Sequence, residues 1–330
     1  MTHQYVSRDG LVRDENLFAD RIIDYLYSTV REQAPAMFQA VISDRMSSLL
    51  GFCNYDLPLE ARFSSAGGLV RRMGIDLTEC VEGSDYYRTA RRIFERRIRY
   101  ESVRPMDEDP AIVVSPADSR MFAGSLGPEA VLFLKDKFFT LPELLGKANW
   151  TGKFTNGDFA IFRLTPEKYH YNHLPVSGVV RDCYEVEGTF HSCNPTAVIR
   201  EVTPFSRNRR ALTVIDTDVP GGSGCGLVVM VEVVALMIGR ITQAYAAVGY
   251  EPTVPVTPGL FLRKGQPKSL YQPGSSLDLL LFEPGRVEFS PDLVLNQLRG
   301  DVGSRFSAWL GRPWVETEIR VRETIGRSRS

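Results

Sequence analysis

The sequence predicts an α+β protein, a helical N-terminal region followed by a β-rich, mainly antiparallel domain. Three observations carry this. Leu17, Ile22, Ile23, Leu26, Val30, Met37, Phe38, Val41 and Ile42 recur at near-helical spacing across residues 16–50. From Ala111 onward the texture changes to short runs rich in Val, Ile, Leu and Phe, separated by turn residues. With 43% hydrophobic and 24% charged residues over 330 positions, the chain can build a packed core in one large domain or two ordinary ones. The chain is divided into an N-terminal region, 1–84, and a second region, 85–330.

Taken in order, Pro35 should interrupt the first helical pattern. Its apolar stripe suits a core or a lipid surface, and packing inward is the commoner use. Residues 51–83 mix turn residues with short apolar runs and define no element. Ser84–Arg99 reads as a helix bearing Arg88, Arg91, Arg92, Arg96, Arg97 and Arg99. Such a face is either solvated and ion-paired or a contact for anionic headgroups.

Strands are expected over Ala111–Ser115, Phe159–Leu164, Val179–Val186, Ala211–Asp216, Leu227–Val234, Leu277–Glu283 and Arg286–Phe289. Glu283-Pro284-Gly285-Arg286 predicts a hairpin between the last two. The glycine-rich stretch Gly221–Gly226 lacks the Lys-Ser/Thr of a phosphate loop and reads as a connection between strands. The charged tail after Glu316 is expected to fray, and His3 to sit in a loose terminus.

The net charge of −1 gives no reason to expect nucleic-acid binding. The five cysteines form no CxxC pair, and the polar start is not a signal sequence, so a reducing, cytoplasmic location is expected. No segment reaches the roughly 18–20 apolar residues that span a bilayer; membrane contact, if made, is peripheral.

Two of the four histidines, His170 and His173, lie within four residues, beside Leu174-Pro175. A spacing of i, i+3 could suit a metal pair on a helix, yet no third ligand is apparent and Pro166 and Pro175 leave little room for one. No metal is assigned. Asp118 ends the Ile112-Val113-Val114 run and could simply cap a turn. Ser275, in Pro273-Gly274-Ser275-Ser276, could be an ordinary turn serine. Together an acid, a histidine pair and a serine are the parts that activate a serine hydroxyl.

In order and approximate spacing these segments resemble the phosphatidylserine decarboxylase family of pyruvoyl-dependent decarboxylases. The ordered set runs from Tyr87-Arg88-Thr89, Phe94 and Arg104-Pro105 through Ser115-Pro116-Ala117-Asp118 to Tyr169-His170, His173-Leu174-Pro175 and Gly178. It continues with Phe190, Asn194, Arg207-Asn208 and Asp216-Thr217, and closes with Lys264-Gly265-Gln266 and Gly274-Ser275. The resemblance implies that Asp118 orients His173 and that His173 takes the proton of Ser275. The serine then attacks the Gly274 carbonyl and the chain cuts itself between 274 and 275. The products would be a β chain, 1–274, and an α chain, 275–330, that stay associated, with a covalent pyruvoyl group formed from Ser275. That group forms a Schiff base with an amino-bearing substrate and accepts electrons as CO2 leaves. His170 would position the carboxylate or reprotonate the product.

The family substrate is phosphatidylserine, giving phosphatidylethanolamine for phospholipid biosynthesis. The family also contains soluble members acting on free amino acids such as tryptophan, which the long N-terminal region resembles. Where the family commonly has glycine after the aspartate this chain has Ser119, and Pro267–Tyr271 replaces Glu-x-Gly-x-Phe. Leu236-Met237-Ile238-Gly239-Arg240-Ile241 replaces a glycine-rich strand. These departures bear on the substrate pocket. An uncut homologue acting as a binding protein is a further alternative, and a homo-oligomer is compatible with the sequence.

Overall fold

The computed structural model describes residues 3–15, 17, 24–43, 66–126, 131–134, 137–200, 204–235, 241–272 and 276–329. Its strands, in chain order, are β1 (His3–Ser7), β2 (Val12–Glu15), β3 (Ile112–Val114), β4 (Ser119–Ser125), β5 (Val131–Leu134) and β6 (Lys137–Thr140). These are followed by β7 (Asp158–Leu164), β8 (Tyr171–His173), β9 (Gly178–Val186), β10 (Arg210–Asp216), β11 (Leu227–Val234) and β12 (Ile241–Gln243). The last six are β13 (Phe261–Leu262), β14 (Pro267–Tyr271), β15 (Ser276–Phe282), β16 (Val287–Phe289), β17 (Thr317–Ile319) and β18 (Thr324–Ser328).

A ten-stranded sheet ordered β13-β9-β10-β11-β15-β7-β4-β17-β1-β2 forms the frame. Its strand pairs are antiparallel except β1 with β17. Side chains alternate across each strand, so the central strands feed two cores. Ile161, Leu212, Val229, Val231, Leu279 and Leu281 pack on one face. Ala160, Phe162, Val228, Met230, Leu280 and Phe282 pack on the other. This explains why β11 and β15 read as continuous apolar runs: both faces are covered. A three-stranded sheet, β12-β14-β8, carries His173, with His170 just before it; the sheet β16-β18-β3 leads into the Ser115–Asp118 loop.

The strands expected from the texture form within a residue or so of their expected ends. Other expectations are corrected. The N-terminal region is not a helical domain: it opens with β1 and β2, which join the large sheet, and its described helices are short. One helical stretch, Leu26–Gln33, breaks at Ala34 (φ −139°), and Pro35 then starts Pro35–Val41. Parts of the expected 16–50 helix lie outside the described residues.

Ser84–Arg99 is helical only over Ala90–Phe94, capped by the Thr89 hydroxyl, apart from a single turn at Ser84–Tyr86. It cannot continue because Ile98 bridges to Cys80 and its N–H donates to the Tyr250 hydroxyl. Of its arginines, Arg91 pairs with Glu95 and Arg97 with Glu82 and Glu251. No β15–β16 hairpin forms. Both edges of β15 are occupied, by β11 and β7, so after the Pro284-Gly285 turn β16 pairs with β18.

The tail does not fray: β17 and β18 are paired. His3 is fully buried, its Nε2 3.0 Å from Glu316 and its Nδ1 accepting from the Arg305 N–H at 3.1 Å. Around it Arg163 grips Glu15 and Glu316 with two nitrogen–oxygen bonds each, and Arg120 adds a contact to Glu15. His3, Glu15 and Glu316 are close enough to hold an ion. The two guanidiniums already neutralise the carboxylates, so the cluster joins the first strands to β17, β7 and β4 as an ion network.

Candidate active site

Backbone hydrogen bonds gather the three motif segments. The His173 N–H donates to Pro116 O (2.7 Å) and the Val114 N–H to Pro175 O (3.0 Å). The Leu174 N–H donates to Gln266 O (2.9 Å), and the Gly265 N–H returns to Leu174 O (2.8 Å). Ser115–Asp118, Tyr169–Pro175 and Lys264–Gln266 are therefore one structural unit. Gly265 has φ +74°, a conformation that favours glycine, and a Cβ there would also push the Met106 thioether aside. The Lys264 ammonium donates to the carbonyls of Asp107, Asp109 and Ile112 and closes the loop before β3.

His173 is buried. Its Nδ1 lies 2.8 Å from Gly265 O and its Nε2 2.9 Å from the Tyr169 hydroxyl. Only a donor can face a carbonyl, so the Nδ1 carries a proton. Burial, reinforced by the Arg322 charge and opposed by the Gly265 bond, pushes the imidazole down to about 3, so it is neutral and Nε2 holds the lone pair. The Tyr169 phenol, raised well above its ordinary range by burial, donates to it. The Tyr250 hydroxyl lies 2.8 Å from that of Tyr169 and donates to the Ile98 carbonyl, also at 2.8 Å.

Asp118 is nearby but does not hydrogen-bond to His173. Arg104 grips its carboxylate through two bonds, 3.1 and 2.9 Å, and the Val321 N–H adds a third at 2.8 Å. Burial opposes its ionisation; the Arg104 bonds and charge outweigh burial and hold the carboxyl below its ordinary range. Arg104 also holds Glu79, so Asp118 reaches His173 only through its field.

His170 is buried and stacked on Phe94 at 3.5 Å between ring centres. Neither ring nitrogen makes a hydrogen bond of acceptable geometry, the Lys168 backbone being a close polar neighbour. Burial and the Arg96 charge push it well below the ordinary histidine range. A wholly buried, neutral, unpartnered imidazole is a polar group awaiting a partner. His173 ends β8 and faces Gly265 O and the Tyr169 hydroxyl, whereas His170, just before β8, stacks on Phe94.

Gly274 and Ser275 lie outside the described residues. The residues that flank them are fixed. Tyr271 ends β14, and Ser276 begins β15 in the middle of the large sheet, paired with Val234 and Leu164. Ser276 is buried and its hydroxyl is unpartnered.

Sequence reasoning missed a polar group between the large sheet and β12-β14-β8. Glu232 accepts from Lys268 (2.5 Å), Asn172 (3.2 Å), Gln243 (3.4 Å) and the Ser269 hydroxyl. Asp278, opposite Glu232 in register, is held well above the carboxylate range by burial and by the Glu232 charge. The Tyr271 hydroxyl donates toward both Leu277 O and Asp278 Oδ1, each 2.8 Å away. Asp278 Oδ2, Asn172 Oδ1 and Ser276 Oγ stay without partners. The signal was present: Glu232 and Asp278 are the charged residues inside β11 and β15.

The Tyr271 N–H donates to His170 O, which sets that residue beside the end of β14, and the unpartnered Ser276 hydroxyl opens β15. Comparison with known proteins gives the family. A family model described as phosphatidylserine decarboxylase matches residues 91–308. The phosphatidylserine decarboxylase proenzyme of Ruminiclostridium cellulolyticum is 27% identical over 94% of this chain and 93% of its own. That of Chlamydia trachomatis is 27% identical over 98% and 96%, and that of an Anaeromyxobacter species 31% over 72% and 84%. This chain belongs to the phosphatidylserine decarboxylase family.

Proposed function

We propose that the chain is a proenzyme that cuts itself between Gly274 and Ser275 and then decarboxylates phosphatidylserine. One observation carries the reading: His173 is buried and neutral, with its tautomer fixed by Gly265 so that Nε2 is the basic atom. In the proposed maturation Nε2 exchanges the Tyr169 hydroxyl for that of Ser275 and takes its proton. The Ser275 oxygen bonds to the Gly274 carbonyl carbon and the peptide C–N bond breaks, leaving an ester and a free amine. Loss of the Ser275 Cα proton then expels the Gly274 carboxylate. Water replaces the nitrogen, which leaves as ammonia, and a pyruvoyl group ends the α chain, 275–330.

The pyruvoyl group supplies an electrophilic carbonyl and an electron sink. Around it this chain's own residues bind and exclude water. His170, neutral and unpartnered, would hold the departing carboxylate or return a proton. Asp118, fixed by Arg104, supplies a negative field that favours proton uptake by His173.

Intact mass of the purified protein tests this. The expected result is two fragments dividing at 274/275, the smaller one reactive with hydroxylamine, and a single uncut Ser275→Ala chain. CO2 release from phosphatidylserine vesicles should exceed that from free tryptophan or serine. An uncut parent chain would overturn the reading; activity on free amino acids alone would move the substrate to that class.

A further inference from the structure

Among the described residues, Asn156 and Arg322 are the two other than glycine that hold a positive φ. Asparagine tolerates that region, whereas arginine has no local reason to enter it. Arg322 stands between β17 and β18, where the Glu323 N–H donates to Arg320 O at 3.2 Å and closes a four-residue turn. Its φ of +72° falls at the third position, which favours Gly or Asn. The turn is pinned by its backbone: the Val321 N–H donates to Asp118, and the Arg322 N–H to Ser115 O at 2.9 Å. The chain therefore keeps a conformation that this side chain makes costly.

The guanidinium adds a second cost. Arg322 is 5% exposed, and no carboxylate among the described residues pairs with it. The other buried arginines are better matched. Arg104, Arg120 and Arg163 face carboxylates, and Arg96 and Arg210 donate to main-chain carbonyls. Arg322 has one long bond, from Nη1 to Gly265 O at 3.5 Å, and a buried Nε with no partner. The acids whose charge reaches it, Glu101 and Glu108, are exposed. A buried charge without a partner destabilises a fold, so backbone and charge both mark position 322 as functional.

Its neighbours say what the function is. Gly265 O, the one acceptor of Arg322, also faces His173 Nδ1 at 2.8 Å. The guanidinium carbon lies 4.8 Å from the centre of the Tyr100 ring, and that ring meets the His173 ring edge to face, also at 4.8 Å. The other groups around the imidazole are Tyr169, joined to Tyr250, and the Asp118–Arg104 pair. Arg104 is shared by Asp118 and Glu79, which leaves Arg322 as the unmatched cation of this group.

We propose that Arg322 is a positioning residue for the base, holding the Gly265 carbonyl on His173 Nδ1 and setting an unmatched positive charge beside the ring. The charge resists a second proton on the imidazole, so Nε2 stays open under acid conditions. The inference rests on the decarboxylase reading above for the use to which Nε2 is put.

The test uses Arg322→Gly and Arg322→Lys. The ring is read by nitrogen NMR of histidine-labelled, uncut Ser275→Ala chain, the His173 signals being assigned by their loss in His173→Gln. Arg322→Gly should unfold in urea no earlier than the parent at pH 8, since glycine relieves the turn and removes the unmatched charge. Its His173 ring should bind a proton about tenfold more tightly than the parental ring. In the self-cutting chain, followed by intact mass, the rate at pH 4 relative to pH 8 should fall about twofold below the parental ratio. Arg322→Lys, which keeps the charge, should restore that ratio. An unchanged ring in Arg322→Gly would overturn the proposal and, with lower stability, make the residue structural. A shifted ring with the parental cutting ratio would overturn it too. If Arg322→Gly does not fold, Arg322→Met against Arg322→Lys decides by the same ring shift. If the parent chain is uncut, the decarboxylase reading fails separately; the nitrogen spectrum needs no cutting and still decides the placement of Arg322.

Discussion

Arg104 holds both oxygens of Asp118, and that pairing replaces the direct Asp118–His173 bond expected of a serine triad. Removing one partner of a buried pair strands the other charge. Arg104→Leu should cost about 3–5 kcal/mol in urea unfolding. Asp118 has a lowered folded pKa, so its contribution is complete above its unfolded value and is lost only as pH falls through the folded one. Without Arg104, burial raises the Asp118 carboxyl, so the Arg104→Leu deficit should be largest at pH 8 and shrink as pH falls toward 5 and the stranded carboxyl takes up a proton. Asp118→Asn should slow cutting by removing the field on His173, read as the uncut fraction against time.

Two buried neutral histidines make the fold acid-sensitive. Both folded pKa values lie below the unfolded one, so the unfolded chain takes up protons first as pH drops below about 6.5. Each should remove about 1.4 kcal/mol of stability per pH unit below that point, His173 until about pH 3. Urea midpoints at pH 7, 6, 5 and 4 should show the slope, and His170→Phe should flatten it. Self-cleavage should not show a histidine-like loss between pH 7 and 5, because His173 stays neutral there.

Glu232 and Lys268 are both fully buried, so the single and double variants should differ sharply. Lys268→Met alone leaves the carboxylate unmatched and should cost about 3–5 kcal/mol. Lys268→Met with Glu232→Gln should recover most of it. A double-mutant cycle by urea unfolding measures the coupling; additive effects would contradict the pairing.

Tyr169→Phe removes the donor that occupies His173 Nε2 while leaving Gly265 to fix the tautomer. Cutting should proceed at the parental rate or faster, with stability lower by about 0.5–1.5 kcal/mol. A block to cutting, seen by intact mass, would make Tyr169 a proton carrier instead.

The strands were legible because β-rich runs between turns survive in the fold, and the motif segments because their backbones bond to one another. The N-terminal strands were not. Val12-Arg13-Asp14-Glu15 has no apolar alternation, and its place depends on Arg163 and Glu316, far away in the chain. The hairpin failed because a Pro-Gly turn specifies local reversal but not which edges of β15 are already occupied. The Asp118–Arg104 pair was hidden because the two residues were read as separate motifs; nothing local says that one holds the other.

β15 lies at the centre of the large sheet, and it begins one residue after the proposed break. Before cutting, folding is a unimolecular event whose rate ignores protein concentration. Afterwards the same sheet can be rebuilt only by two fragments meeting, with the smaller one inserting between β11 and β7. Maturation would thus act as a ratchet. Unfolded precursor can try again at any dilution, whereas mature protein diluted from urea should refold only as fast as its fragments collide, so its working lifetime is set by how slowly it opens.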